Sequence, residues 1–283
     1  MWKLCLGTNG FIANELYGYN LSPDEVLDHA AEVGYDGIEV HHRFDPFPHS
    51  TDDVGISAYA KKITSRGMVI AGIQARVTEG SIFSADVAER KAWSQSAITQ
   101  VEFCHKLGGT QCGFWPAGRQ LDLPDDILVS RLSDALKPVA ERAEQLGVMT
   151  TIEPEPVQID YNYDIAVQIV NAVASDNLKL IYDCAHAQVL AGDALGAVTK
   201  FAKYIGHVHF CDSDGTTLNE AGASMTSAHL VAGDGVLELE LILKALRDNG
   251  YNRWLQIDVW ENPDPIRCSQ KTKHFVDKVL QTF

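Results

Sequence analysis

The chain of 283 residues is long enough for one large buried core, and its 23 Lys and Arg against 38 Asp and Glu leave a net charge of −15. A field of that sign repels a phosphate backbone and an anionic membrane surface, and no Lys/Arg run opposes it. No stretch approaches the roughly 20 apolar residues of a membrane helix, and residues 1–7 lack the apolar run of a signal peptide, so a cytoplasmic protein with no nucleic-acid or membrane partner is expected.

Short apolar runs alternate with longer amphipathic ones along the chain. Residues 4–7 read as a strand. Ser22-Pro23-Asp24-Glu25 opens a helix over 22–33: Ser caps, Pro fits the first turn, acids favour the positive end of the dipole, and Gly34 stops it. A strand over 37–41, a helix over 51–65, a strand over 68–75, a helix over 85–107 and a strand over 110–114 complete the first half. The second half repeats the order: helix 124–146, strand 148–153, helix 163–174, strand 178–183, helix 193–203, strand 205–210, helix 237–248, strand 254–259 and helix 265–280. Strand–helix alternation at this spacing predicts a parallel sheet, and eight units favour a closed barrel. The expected fold is therefore α/β: a single (β/α)8 TIM barrel with parallel strands and outer helices, one domain over 1–283. The longest irregular stretch, 212–235 after strand seven, has the length of a functional loop. The six cysteines, Cys5, Cys104, Cys112, Cys184, Cys211 and Cys268, form no CxxC pair, and most lie in apolar runs, as small buried hydrophobes do in a reducing compartment.

Four runs in the second half each end on a metal-ligand residue: Thr151-Ile152-Glu153, Ile181-Tyr182-Asp183, His207-Val208-His209 and Gln256-Ile257-Asp258. A βα barrel brings the C-terminal ends of its strands to one rim, where such barrels keep their active sites. Three carboxylates and an imidazole suit Mn, Co, Mg or Zn. Taken singly, each residue has an ordinary explanation. Asp183 in Asp183-Cys184-Ala185-His186 could cap a helix beside a surface His186. His207 and His209 share one strand face and could be satisfied core histidines. Glu153 could belong to the stiff turn made by Pro154 and Pro156. Asp258 lies in an apolar run, where a carboxylate must pair, bind metal or be neutral. Their joint placement on successive strand ends is the signal. Glu39, His41, Gln74 and Arg76 are weaker rim candidates, and Trp115, Trp260, Phe11 and Phe114 could form an apolar wall or simply pack.

With these residues in place, the chain resembles the xylose isomerase-like TIM-barrel superfamily of sugar isomerases and epimerases. Particular likenesses are to ketose 3-epimerases, inosose-processing enzymes and related dehydratases. The motifs run from Gly34-Tyr35-Asp36-Gly37-Ile38-Glu39 through Ile152-Glu153-Pro154, Asp183-Cys184-Ala185-His186, Gly206-His207-Val208-His209 with Asp212, Gly233-Asp234-Gly235 and Gly250-Tyr251-Asn252-Arg253-Trp254. The resemblance implies one divalent metal ion (Mn, Co or Mg, with Zn as a further option) held by Glu153, Asp183, His209 and Asp258. Glu153 and Asp258 would also be catalytic, with His186, Glu39, Trp115 and Glu261 facing substrate or bound water. It further implies removal of a proton alpha to the carbonyl of a ketose or keto-sugar through a metal-stabilised enediolate, with a small sugar as partner and a homo-oligomer allowed. Three positions depart from the pattern. The last metal position is usually Glu and is here Asp258; the Arg common after the strand-seven His is absent; and Ile159 stands near the place of a substrate-binding Glu. If only one face of the substrate has a base, elimination follows instead, giving a lyase or dehydratase, including cleavage of 3-keto-glycosides. A non-catalytic sugar-binding barrel is a further alternative. Apurinic endonucleases share the fold but draw extra metal-binding histidines from strands three and four, where this chain has Gln74 and Gln111.

Overall fold

Eight parallel strands pair in sequence order, and the eighth returns to the first, closing a barrel. The structure is a computed structural model and describes residues 2–12, 14, 17–42, 53–116, 122–156, 162–218 and 226–283. The strands are β1 (Leu4–Gly7), β2 (Gly37–His41), β3 (Val69–Ala75), β4 (Gln111–Phe114), β5 (Met149–Ile152), β6 (Leu178–Asp183), β7 (Ile205–Phe210) and β8 (Leu255–Ile257). Nearly every strand residue is buried, as expected where helices cover one face and the barrel interior the other.

The surrounding helices are α1 (Pro23–Val33), α2 (Asp53–Thr64), α3 (Val87–Leu107), α4 (Asp125–Leu146), α5 (Tyr163–Val173), α6 (Cys184–Ala191), α7 (Ala194–Phe201), α8 (Leu239–Asp248) and α9 (Pro265–Leu280). Local chemistry sets their ends. Ser22 and Glu25 form a reciprocal capping box at α1, and Gly34 closes that helix in the left-handed region at φ 84°. Asp86, Asn162 and Asp264 cap α3, α5 and α9 through their side chains. Leu128, Leu136, Val139, Ile169, Ile242 and Leu243 turn inward from these helices onto the outer face of the barrel and are fully buried.

The expected strands all appear, with boundaries within a residue or two. The helix expected from 193 to 203 is α7 followed by a single 3-10 turn, Ala202–Tyr204. The pattern did not set α6 apart as an element: it begins at the residue after β6, leaving no loop to mark it. Thr51, the expected start of the second helix, and Ile159 lie outside the described residues.

The barrel interior is filled partly by glutamines laid over glycines. Gly72 stands opposite Gln111, and Gly113 opposite Gln74, in the pairing of β3 with β4. A Cβ at Gly72 would come 2.3 Å from the end of the Gln111 amide, and one at Gly113 would come 2.2 Å from Gln74 Oε1. These glycines make room for two buried amides at the level of Glu39. No helix among the described residues is long and apolar enough to cross a membrane.

All six cysteines are free and buried. Burial pushes the thiols of Cys5, Cys112, Cys184 and Cys211 well up, and that of Cys268 to about 12. Thiolate is the reactive form. The native protein is therefore expected to leave a thiol reagent unreacted at neutral pH and to titrate all six cysteines once unfolded in guanidinium; rapid native labelling of any would contradict this burial.

Candidate metal centre

Asp183 ends β6 and pairs in register with His209 on β7. Glu153 and Asp258 each sit one residue beyond the last residue of β5 and β8. All four are buried. His209 Nδ1 lies 2.8 Å from Glu153 Oε1 and 3.3 Å from Asp258 Oδ2. Ligand atoms of Glu153, Asp183 and His209 lie within 4.8 Å of one another. The structure thus brings together the four residues singled out at the strand ends.

The second oxygens of the carboxylates are engaged elsewhere, which orients the first. Asp183 Oδ1 caps α6 by accepting from His186 N at 2.7 Å. Glu153 Oε2 accepts from Trp115 Nε1 at 2.7 Å. Asp258 Oδ1 accepts from Trp260 N at 2.7 Å and from Asn9 Nδ2 at 3.5 Å. Asp183 Oδ2 and His209 Nδ1 are buried without a hydrogen bond, their nearest ionic partners being His229 Nε2 at 3.5 Å and Glu153 Oε1 at 2.8 Å.

Orphaned buried polar atoms of this kind are costly unless something occupies the space between them. Bonds of about 2.0–2.2 Å to one ion place neighbouring donor atoms about 3.0–3.5 Å apart, which matches the spacing around His209 Nδ1. The electrostatics agree. Burial pushes the Asp183 carboxyl up, but His186 and His229 outweigh it and hold it well below the usual range. Burial pushes the His209 imidazole down, yet Glu153 and Glu39 drive it well above its ordinary value. The cluster therefore draws positive charge to this point, and a divalent cation among hard oxygen and imidazole donors supplies it. The residues fit such an ion.

Glu39, for which the resemblance implies a place facing substrate or water, is 1% exposed and lies on the other edge of the His209 ring. Its Oε1 is 3.2 Å from His209 Nε2 and accepts from Gln74 Nε2 at 3.0 Å. Its Oε2 is 2.5 Å from His207 Nε2. The Gln111 amide, with its oxygen toward Thr151 Oγ1 (2.6 Å), donates to Glu39 Oε2 at 3.3 Å. Of the two histidines on β7, His209 meets Glu153 and Asp258 as well as Glu39, and His207 meets Glu39.

His186 is buried rather than superficial; its Nδ1 is 2.9 Å from Ser227 Oγ and its Nε2 is 4.0 Å from Glu155 Oε1. Trp115 lies 5.0 Å from the His41 ring, and His41 stacks with Trp260 at 6.0 Å, forming an aromatic edge to the site. Glu261 follows Trp260, partly exposed and in the left-handed region at φ 47°, a conformation that costs a non-glycine residue about 1–2 kcal/mol.

Three buried residues of the site escaped the sequence reading: His229, Ser227 and Glu155. His229 Nε2 is 3.5 Å from Asp183 Oδ2, and against the cost of burial that carboxylate pushes its imidazole up to about 9. Both His229 and Ser227 belong to the long segment after β7, whose length alone marked it as functional. That segment is pinned by Asp212, whose carboxylate accepts from the backbone N–H of Ser213, Gly233, Gly235 and Leu237.

A barrel with these residues at its rim defines a class, and the comparisons agree on it. The family described as xylose isomerase-like TIM barrel matches residues 27–274, and the chain belongs to it. L-ribulose 3-epimerase of Mesorhizobium japonicum is 30% identical over 271 residues, covering 92% of this chain and 89% of that protein. Inosose dehydratase of Lacticaseibacillus casei is 22% identical over 164 residues, 53% of this chain and 54% of its own length. Among solved structures, the IOLI protein with a bound zinc atom superposes with a TM-score of 0.76 at 21% identity, over 99% of both chains, a likeness of fold. The relatives are thus enzymes acting on sugars, and they include both an epimerase and a dehydratase.

Proposed function

We propose that this protein is a divalent-cation-dependent sugar isomerase or epimerase that acts by proton abstraction alpha to a carbonyl. The observation carrying this reading is the gathering of Glu153 and Asp258 about His209 Nδ1, with Asp183 in the same buried cluster and its Oδ2 left without a hydrogen bond. The likeness to L-ribulose 3-epimerase over nine-tenths of the chain supports the reaction class.

When bound, the cation supplies Lewis-acid stabilisation of the negative charge that develops on the substrate oxygens. Glu153 is the base: Trp115 fixes its Oε2, and its Oε1 is presented at the centre. Asp258 offers the second carboxylate from a strand three places further round the barrel, so that a proton can leave one face of the substrate and return on the other. His186, Ser227 and Glu155 form a polar wall able to hold sugar hydroxyls.

One feature favours a second reading. Asp258 Oδ1 is committed to Trp260 N and Asn9, and the side chain is a methylene shorter than Glu, so only Oδ2 is available on that face. If it does not reach the substrate carbon, the enediolate loses a beta leaving group instead, and the enzyme is a lyase or dehydratase. Incubating cation-loaded protein in heavy water with ketoses, inososes and 3-keto-glycosides, followed by NMR, separates the outcomes. An epimerase returns sugar carrying deuterium at the alpha carbon; a lyase returns a dehydrated or cleaved product. The absence of any cation-dependent change across the three substrate classes would sink the catalytic reading.

A further inference from the structure

We propose that Glu39 is a positioning residue for the cation site, acting through the His209 imidazole from inside the barrel. The proposal rests on the metal-centre reading and adds a function to a carboxylate that the reaction itself does not use. The two nitrogens of His209 face different partners. Nδ1 faces Glu153 and Asp258, while Nε2 lies 3.2 Å from Glu39 Oε1. A carboxylate only accepts, and carboxylates stand at both nitrogens, Glu153 Oε1 2.8 Å from Nδ1 and Glu39 Oε1 3.2 Å from Nε2; a cation among Glu153, Asp183 and Asp258 would take the place of the proton on Nδ1, while Glu39 holds the one on Nε2. That tautomer leaves the Nδ1 lone pair directed at the other ligands, as cation binding needs. The opposite tautomer would put a proton where the cation belongs.

Glu39 is held firmly enough to enforce the choice. Gln74 donates to its Oε1, Gln111 to its Oε2, and His207 Nε2 stands 2.5 Å from Oε2. The two amides are themselves fixed, because Gln111 lies over Gly72 and Gln74 over Gly113 with no space for a Cβ at either glycine. Both Glu39 oxygens are taken up by Gln74, Gln111 and the two histidines, so it braces the ligand rather than meeting substrate. A carboxylate in a barrel interior is expensive to desolvate, and an apolar filling would serve packing alone at least as well. Orientation of a metal-binding histidine by a carboxylate on its far nitrogen is a recurrent device, and its loss typically weakens metal binding about 10–100-fold.

The test measures binding, not turnover. Chelator-stripped wild type and Glu39→Gln are titrated with Co(II) by calorimetry, and the visible spectrum of the bound Co(II) is recorded. Wild type is expected to take up one equivalent at the centre. Glu39→Gln is expected to bind about 10–100-fold more weakly, with an altered ligand-field spectrum. Equal affinity and an unchanged spectrum would overturn the role of Glu39 while leaving the metal centre standing. Wild type that binds no cation would overturn the metal centre itself, and this inference with it. Should Glu39→Gln fail to fold, the same Co(II) titration and spectrum of Glu39→Asp, which keeps the charge but shortens the reach to His209 Nε2, decide the matter: weaker binding with a shifted spectrum is expected, and unchanged affinity and spectrum overturn the proposal.

Discussion

Glu153→Gln is expected to abolish solvent-deuterium exchange at the alpha carbon of the substrate and to lower turnover by about a thousandfold, within the range for loss of a general base. Two functions fall together, because Glu153 Oε1 is both the proposed base and a donor atom 2.8 Å from His209 Nδ1. The amide keeps the shape of the side chain and can still accept from Trp115 Nε1, so the fold and the aromatic edge should survive. Measuring bound cation alongside exchange separates the two roles. A variant that retains its cation but loses exchange places the base at Glu153. One that retains both while losing net turnover moves the base to another residue, with Asp258 and Glu261 next in line. Trp115→Phe offers a graded companion: without the indole donor the Glu153 carboxylate is free to rotate, and exchange should slow without vanishing.

The parts of this molecule that were legible in its sequence are those written locally. Each strand is a short apolar run, and each helix start and stop is marked by a residue whose physics is local, such as the Ser22–Glu25 box or the left-handed Gly34. The meeting of Glu153, Asp183, His209 and Asp258 was legible for the same reason: they end their runs, and parallel closure carries every strand end to one rim. Helix α6 was harder to see because Asp183 serves as the last strand residue and the helix cap at once, so no turn separates the elements. His229 was hidden because nothing near it in sequence announces its partner. It meets Asp183 across 46 positions, at the end of a loop whose path is set by tertiary contacts. The position of Glu39 was legible, and its surroundings were not. Whether a buried carboxylate faces a ligand or a histidine depends on which residues the neighbouring strands place at its level, and here Gln74, Gln111 and two adjacent glycines decide it.

Asp212→Ala should destabilise the protein by about 2–4 kcal/mol, a large effect for a residue that touches neither core nor ligand set. The carboxylate is buried and gathers four backbone donors: Ser213 N at 2.8 Å and Leu237 N at 3.1 Å on Oδ1, Gly233 N at 2.9 Å and Gly235 N at 3.0 Å on Oδ2. Removing it leaves these N–H groups to find water or stay unpaired. The backbone bridge between Asp212 and Leu230 would remain, so the loss should be local. Urea unfolding should report a lower midpoint, and hydrogen exchange should show fast amides at Gly233, Gly235 and Leu237. The site should feel the change through Ser227 and His229, which this segment carries to His186 and Asp183. Cation binding should weaken less than in any ligand variant, because all four proposed ligands sit at strand ends outside the loop. Asp212→Asn is the sharper control: one carbonyl oxygen can still serve two of the donors, while the amide N–H groups oppose the others, so its loss should fall between wild type and Ala. An unchanged urea midpoint with unchanged exchange in Asp212→Ala would mean that the loop is held by its other contacts, and that the four-way clamp is a consequence of the fold rather than a cause of it.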